Sequence, residues 1–273
     1  MVRINGRRGH CIDPRDRGLQ YGDGVFETMR IRARKIRLLE FHLDRLYLGL
    51  ERLQIKGPLR AALRDELLRL ASRRAQGVLK LTVTRGPGAR GFRPSGRERS
   101  TRILMLNPLA ERRAQEHRPV KVRMCTIRLA RQPRLAGLKT LNRLESVLAR
   151  AEWHDTRLWE GLMQDTEGNI VCGTMSNLFV RRGARLITPP LEQCGVAGVM
   201  RRWILANARS VSLQASERRI GWSDLKAATE VFLSNAVVGV KSVSHIEWPR
   251  RRAALRFANF EAAQRLRALL EGL

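Results

Sequence analysis

LAGLKTLNRLESVLAR, residues Leu135 to Arg150, places a single lysine at the head of a run with helical spacing. Leu141, Leu144, Val147 or Leu148, and Ala151 recur every three or four residues. That period predicts a helix with one face buried and with Arg143 and Arg150 towards solvent. Ala136 and Gly137, just upstream, allow a close turn into it. Lys139 is then expected in the first helical turn or just before it. There the helix dipole and partial burial both disfavour an ammonium, leaving an amine usable near neutral pH. A solvated surface position is the commoner fate of a lysine, so the reading turns on what accompanies Lys139.

The chain of 273 residues suits one large or two medium domains. Residues 107–119 are polar, charged and bracketed by prolines, the best candidate linker. The expected division is a smaller N-terminal α/β domain at 1–106 and a larger domain at 120–273 that carries Lys139. No run of about 18 apolar residues occurs, and the opening MVRINGRRGH has no apolar signal segment. A cytoplasmic protein with no membrane partner is expected. Cys11, Cys125, Cys172 and Cys194 show neither CxxC nor Cys/His metal spacing, so reduced thiols and no metal site are expected.

A net charge of +28 invites a nucleic-acid reading. Only seven of the 53 basic residues are lysine, and the arginines are spread along the whole chain instead of gathering in one stripe or tail. With aromatics at 5% there is no basic and aromatic interleaving for base stacking. No nucleic-acid partner is expected.

The N-terminal part reads as a short strand at 2–4, then the glycine- and acid-rich DRGLQYGDGVFETMR, a tight loop running into a strand at 25–31. A helix is expected from Glu40 to Leu53, with His42 and Arg45 three apart on one face, and a second from Leu59 to Gln76. The strand VLKLTVT enters RGPGARGF, a loop whose Arg85 and Arg90 are candidates to grip a carboxylate. Beyond the linker come a strand at 120–125, the Lys139 helix, and short strands at 161–164, 170–172, 177–180 and 185–188. GVAGVMRRWILANA follows, a helix with glycines at its mouth, where free N–H groups suit either ordinary capping or a phosphate. Strands at 211–215, 231–234 and 237–241 and a closing helix at 253–270 complete the chain.

A lysine for a Schiff base, a helix mouth and an arginine for a phosphate together describe a cofactor with an aldehyde and a phosphate, pyridoxal phosphate. Here the sequence resembles the fold-type IV pyridoxal-phosphate enzymes, which include branched-chain and D-amino-acid aminotransferases. The resemblance runs almost end to end through DRGLQYGDGVFET, FHLDRL, GVLKLTVTRGPGARGF, LAGLKTLNRLESVL, TMSNLF, GVAGVMR and FLSNA. The RGPGARGF and LAGLKTLNRLE blocks favour the family's lyases, which cleave aminodeoxychorismate to 4-aminobenzoate and pyruvate, over its aminotransferases.

The resemblance implies a two-domain α/β (α+β) fold with the cofactor in the cleft between the domains, and a homodimer. It makes Lys139 the Schiff-base lysine and general base, and Arg45 a phosphate ligand. It adds the N–H groups of Val199 and Met200, with Ser234 and Asn235, to the phosphate cup. Thr28 is the candidate donor of a proton to the leaving group, and Arg85 or Arg90 the carboxylate clamp. One position departs from the family. Counted back from SNLF, the place of the glutamate that hydrogen-bonds the pyridine nitrogen holds Cys172, a weaker hydrogen-bonding group.

Overall fold

The computed structural model describes residues 1–109, 117–249 and 251–272. The chain divides into two compact units, Met1–Glu111 with Leu138–Asn142, and Arg112–Gly137 with Arg143–Leu273. Of the expected linker, residues 110–116 lie outside the described residues, while 107 and 108 finish a strand.

In the first unit, β1 (Val2–Ile4), β2 (Arg7–Arg8), β3 (Gly24–Arg32), β4 (Lys35–Ile36), β5 (Gln76–Thr84) and β6 (Thr101–Pro108) form a six-stranded sheet in the order β2-β1-β6-β5-β3-β4. Strict alternation on β3 turns Val25, Glu27, Met29 and Ile31 inward and Phe26, Thr28 and Arg30 to the other face. Helices α2 (Leu39–Arg52) and α3 (Arg60–Ala71) cover the inner face. Leu43, Leu46 and Leu50 of α2 and Leu63, Leu67 and Leu70 of α3 pack with Met29, Leu79, Leu81 and Leu104. Each such buried side chain contributes about 1.5–3 kcal/mol. The expected loop before β3 contains a short helix, α1 (Arg17–Tyr21), because the Asp16 carboxylate caps it by accepting the Gly18 N–H at 2.8 Å.

The second unit is built on β7 (Val120–Leu129), β8 (Leu158–Asp165), β9 (Ile170–Gly173), β10 (Asn177–Arg182), β11 (Arg185–Thr188), β12 (Gln214–Glu217), β13 (Glu230–Asn235), β14 (Gly239–Trp248) and β15 (Arg251–Arg256). The path β12-β11-β10-β13-β14-β7-β8-β9 curls until Cys172 of β9 pairs with Asn177 of β10, giving a barrel-like sheet, with β15 added on β14. Helices α4 (Leu144–Arg150), α5 (Val199–Asn207), α6 (Trp222–Lys226) and α7 (Glu261–Glu271) accompany it. The expected closing helix at 253–270 is corrected at its start. Leu255 pairs with Ile246 in the sheet, and α7 begins only at Glu261, where fully buried Glu230 accepts the Ala262 and Ala263 N–H groups at 2.9 Å each.

The helix expected over Leu135–Arg150 is corrected most. Residues around Lys139 are extended: the Phe26 N–H donates to the Lys139 carbonyl at 2.9 Å, and the Leu141 N–H to the Gly24 carbonyl at 3.0 Å. They continue the edge of β3, so Lys139 packs with the first unit, and α4 starts five residues later. A helix dipole acts only within its terminal turn, so it does not tune this amine. The apolar stripe is not buried either, since Leu144 is 76% exposed, Val147 59% and Leu148 58%. Among the described residues, no helix is long and apolar enough to cross a membrane.

Candidate active site

In the first unit Lys139 is half-buried, with Nζ 4.2 Å from the centroid of the Phe26 ring. That distance suits a cation on an aromatic face, so the ring stabilises the ammonium that forms whenever the amine takes a proton. Thr28 lies two residues along the same face of β3, paired across to Lys80. Lys80 places its own Nζ 5.3 Å from the Phe26 ring. Sequence reading missed Lys80, although alternation along VLKLTVT turns it away from the core.

On the opposite face of β3, Glu27 is buried among apolar side chains and meets the helix face that carries His42 and Arg45. Arg45 donates from Nε to Oε1 at 2.7 Å and from Nη2 to Oε2 at 2.5 Å. Burial pulls the Glu27 pKa up, but Arg45 and His42 outweigh it and hold the carboxyl at about 2. Burial is also the largest influence on His42 and moves its pKa below the ordinary value. Glu27 escaped the sequence reading, yet an acid in the inward register of Val25, Met29 and Ile31 was signal enough to seek basic partners.

Arg85 does not stand as a carboxylate clamp. It donates to Asp23 at 2.7 and 3.1 Å and to the Leu53 and Gln54 carbonyls at 2.8 Å each, so its guanidinium braces the chain. Arg17, which the sequence left unremarked, joins the same carboxylate at 3.0 Å and donates to the Gly91 and Phe92 carbonyls, pinning the RGPGARGF loop. Arg90 is exposed and lines a cavity of about 930 Å³ with Arg15, Tyr21 and Arg97.

In the second unit, Cys172 packs in an apolar cluster with Cys125, Cys194, Val171 and Leu191. All four cysteines of the chain are free. Burial pushes the Cys172 thiol far above its ordinary value, and it pushes Cys194 up to about 11, so Cys172 stays a neutral thiol at neutral pH. Nearby Glu160, fully buried on β8, organises the turn after Cys172. It accepts the N–H groups of Thr174 and Met175 at 3.1 Å each and the Ser176 hydroxyl at 2.8 Å.

The same unit offers a place for an anion. Val199 and Met200 open α5 after Gly198, with no side-chain cap, and the first N–H groups of a helix have no acceptor in its own ladder. A Cβ at Gly198 would lie 2.0 Å from Asn177 Oδ1, so a larger residue there would have to displace that side chain. Ser234, near the end of β13, is 1% exposed, and its hydroxyl has no hydrogen-bond partner among the described residues. Asn235 follows, its Oδ1 accepting the Val237 and Val238 N–H groups at 3.0 and 2.9 Å and so shaping the turn. An orphaned buried hydroxyl and an uncapped helix start fit a phosphate.

A mixed barrel-like sheet, a lysine on an edge segment and an uncapped helix mouth define a class, and the chain belongs to it. The model of the family described as Amino-transferase class IV matches residues 24–246, so this is a family member with the α/β fold-type IV architecture. Within that class, the chain is 33% identical over 253 residues to the aminodeoxychorismate lyase of Vibrio harveyi, covering 92% of this chain and 93% of that protein. It matches the crystal structure of the 4-amino-4-deoxychorismate lyase from Pseudomonas aeruginosa with a TM-score of 0.89 and 41% identity, over 100% of this chain and 98% of that one. It is also 30% identical to a putative branched-chain-amino-acid aminotransferase of Methanocaldococcus jannaschii, over 85% of this chain and 81% of that protein.

Proposed function

We propose that this chain is a pyridoxal-phosphate-dependent lyase that converts 4-amino-4-deoxychorismate to 4-aminobenzoate and pyruvate. The observation that carries the reading is the full-length likeness, at 41% identity, to a lyase of that name. When bound, pyridoxal phosphate supplies an aldehyde that captures an amine and a ring that draws electrons from the adjoining carbon.

The chain's residues divide the remaining work. Lys139 Nζ would hold the cofactor through its aldehyde and would take the proton from the substrate's amine-bearing ring carbon. Phe26, 4.2 Å away, then faces the ammonium so formed. In the first unit Arg45 is the residue that would meet the phosphate; in the second, the Val199 and Met200 N–H groups and the Ser234 hydroxyl are those that would, with Asn235 fixing the turn beside Ser234. Thr28 delivers a proton to the methylene carbon of the departing enolpyruvyl group. With Arg85 committed elsewhere, Lys80 and Arg90 are the cations assigned to the substrate's two carboxylates. Aromatisation of the product drives the elimination. Incubating the purified protein with 4-amino-4-deoxychorismate tests this directly: pyruvate release in step with 4-aminobenzoate is expected, and its absence overturns the reading.

The second reading, an aminotransferase of the same fold, is supported by the likeness to the Methanocaldococcus jannaschii protein. Cys172 weighs against it. At the position carried over to the pyridine nitrogen, a buried neutral thiol holds a proton there less well than a carboxylate. Transamination depends more on that proton than an elimination pulled forward by aromatisation. Cys172→Glu is therefore expected to let pyridoxamine phosphate accumulate with an amino acid alone, while lyase turnover changes. Unchanged lyase turnover with transamination still absent would sink this account of Cys172.

The homodimer belongs to the proposal, supported by the exposed stripe of Leu144, Val147 and Leu148 on α4, which a second copy would cover. Light scattering on the double variant Leu144→Glu, Leu148→Glu is expected to report a monomer where the parent is a dimer. A cytoplasmic location accords with the four free cysteines.

A further inference from the structure

Glu27 uses its two oxygens differently. Oε1 accepts from Arg45 Nε at 2.7 Å, while Oε2 faces both Arg45 Nη2 at 2.5 Å and His42 Nδ1 at 2.6 Å. Both acid and histidine are 1% exposed, so water does not compete for either. A neutral imidazole beside a carboxylate donates from the nitrogen that faces it, which assigns the proton to Nδ1. Nε2 is then left as an acceptor, and it is buried with no hydrogen-bond partner among the described residues. Leaving a ring nitrogen unsatisfied in the interior carries a cost that a leucine at 42 would avoid. The polar work of His42 is thus directed at Glu27.

We propose that His42 is a positioning residue for Arg45, acting through Glu27. Its Nδ1–H pins Oε2, which fixes the plane of the carboxylate, and the two-point fork then fixes the plane of the guanidinium. A planar guanidinium binds an oxyanion well only when its plane is set in advance, since its donors lie in that plane. The inference rests on the reading of Arg45 as a phosphate ligand. It extends that reading from the ligand to the pair of buried groups that aims it.

The measurement is the ratio of the dissociation constants of pyridoxal and pyridoxal 5'-phosphate, titrated into the cofactor-stripped full-length chain. Pyridoxal has the aldehyde without the phosphate, so the ratio isolates phosphate recognition from reaction at Lys139 and from general damage to the fold. His42→Leu is expected to reduce the ratio about tenfold, a coupling ordinary for residues in one hydrogen-bonded network. His42→Asn, whose amide restores a donor, should recover it to within about threefold. In an Arg45→Ala background, His42→Leu should reduce it no further. Glu27→Gln, which keeps the shape but not the charge, is expected to match His42→Leu and carries the test if the leucine variant does not fold. An unchanged ratio in both His42→Leu and Glu27→Gln overturns the proposal. So does a loss from His42→Leu that persists without Arg45. If Arg45→Ala itself leaves the ratio unchanged, the phosphate-ligand reading fails, a result distinct from any failure at His42.

Discussion

Lys139→Ala will abolish pyruvate release from 4-amino-4-deoxychorismate, lowering turnover by about a thousandfold or more, because one amine is asked to do two jobs. On the proposed reading it would engage the cofactor's aldehyde and would remove the proton that starts the elimination, and no neighbour would inherit both. Lys80 is a rival, its Nζ 5.3 Å from the same aromatic ring, but it stands on a different strand from the extended segment that carries Lys139. The parent protein should show an absorbance band near the visible edge that borohydride removes, and the alanine variant should lack it. A variant that retains the band would transfer the role to another lysine. A protein that takes up no pyridoxal phosphate at all would defeat the lyase and aminotransferase readings together.

The sequence located this lysine through its neighbours more securely than through its own segment. Period alone favoured a helix over Leu135–Arg150, but Leu144, Val147 and Leu148 keep that period while facing outward. What fixes Lys139 is backbone pairing with Phe26 and Gly24, a contact between distant parts of the chain that no local pattern records. The α2 pair was legible because residues three apart on a helix share a face. Their target, Glu27, was legible in principle from strand alternation. Arg85 was misread for a different reason: a loop arginine looks available until the fold brings Asp23 and two carbonyls to its donors. Cys172 could be placed by counting back from Asn177, and its buried, neutral state is a property of the packed sheet. Covalent order thus supplied the candidates for the chemistry, while the partner of each donor and acceptor required the fold.

Glu27→Ala should lower the stability of the protein by about 3–5 kcal/mol at pH 7, because it strands the Arg45 charge, 10% exposed, without its carboxylate. Glu27→Gln, with one acceptor retained, should cost less and should change how acid acts. In the folded chain the Glu27 carboxyl titrates at about 2 against an ordinary 4.5, so the unfolded chain binds that proton first. Its contribution is whole above pH 4.5 and is lost as pH falls through 2, with a total on the order of 3 kcal/mol. His42 acts in the same direction from higher pH, since its pKa lies below the ordinary 6.5 and the unfolded chain again protonates before the fold does. Unfolding midpoints measured at pH 7, 4.5 and 2.5 should therefore decline in two stages in the parent. Glu27→Gln should start lower at pH 7 and lose less between pH 4.5 and 2.5. Parallel declines in the two proteins would mean that acid breaks the fold elsewhere, and that the Glu27–Arg45 pair is less coupled to folding than its burial implies.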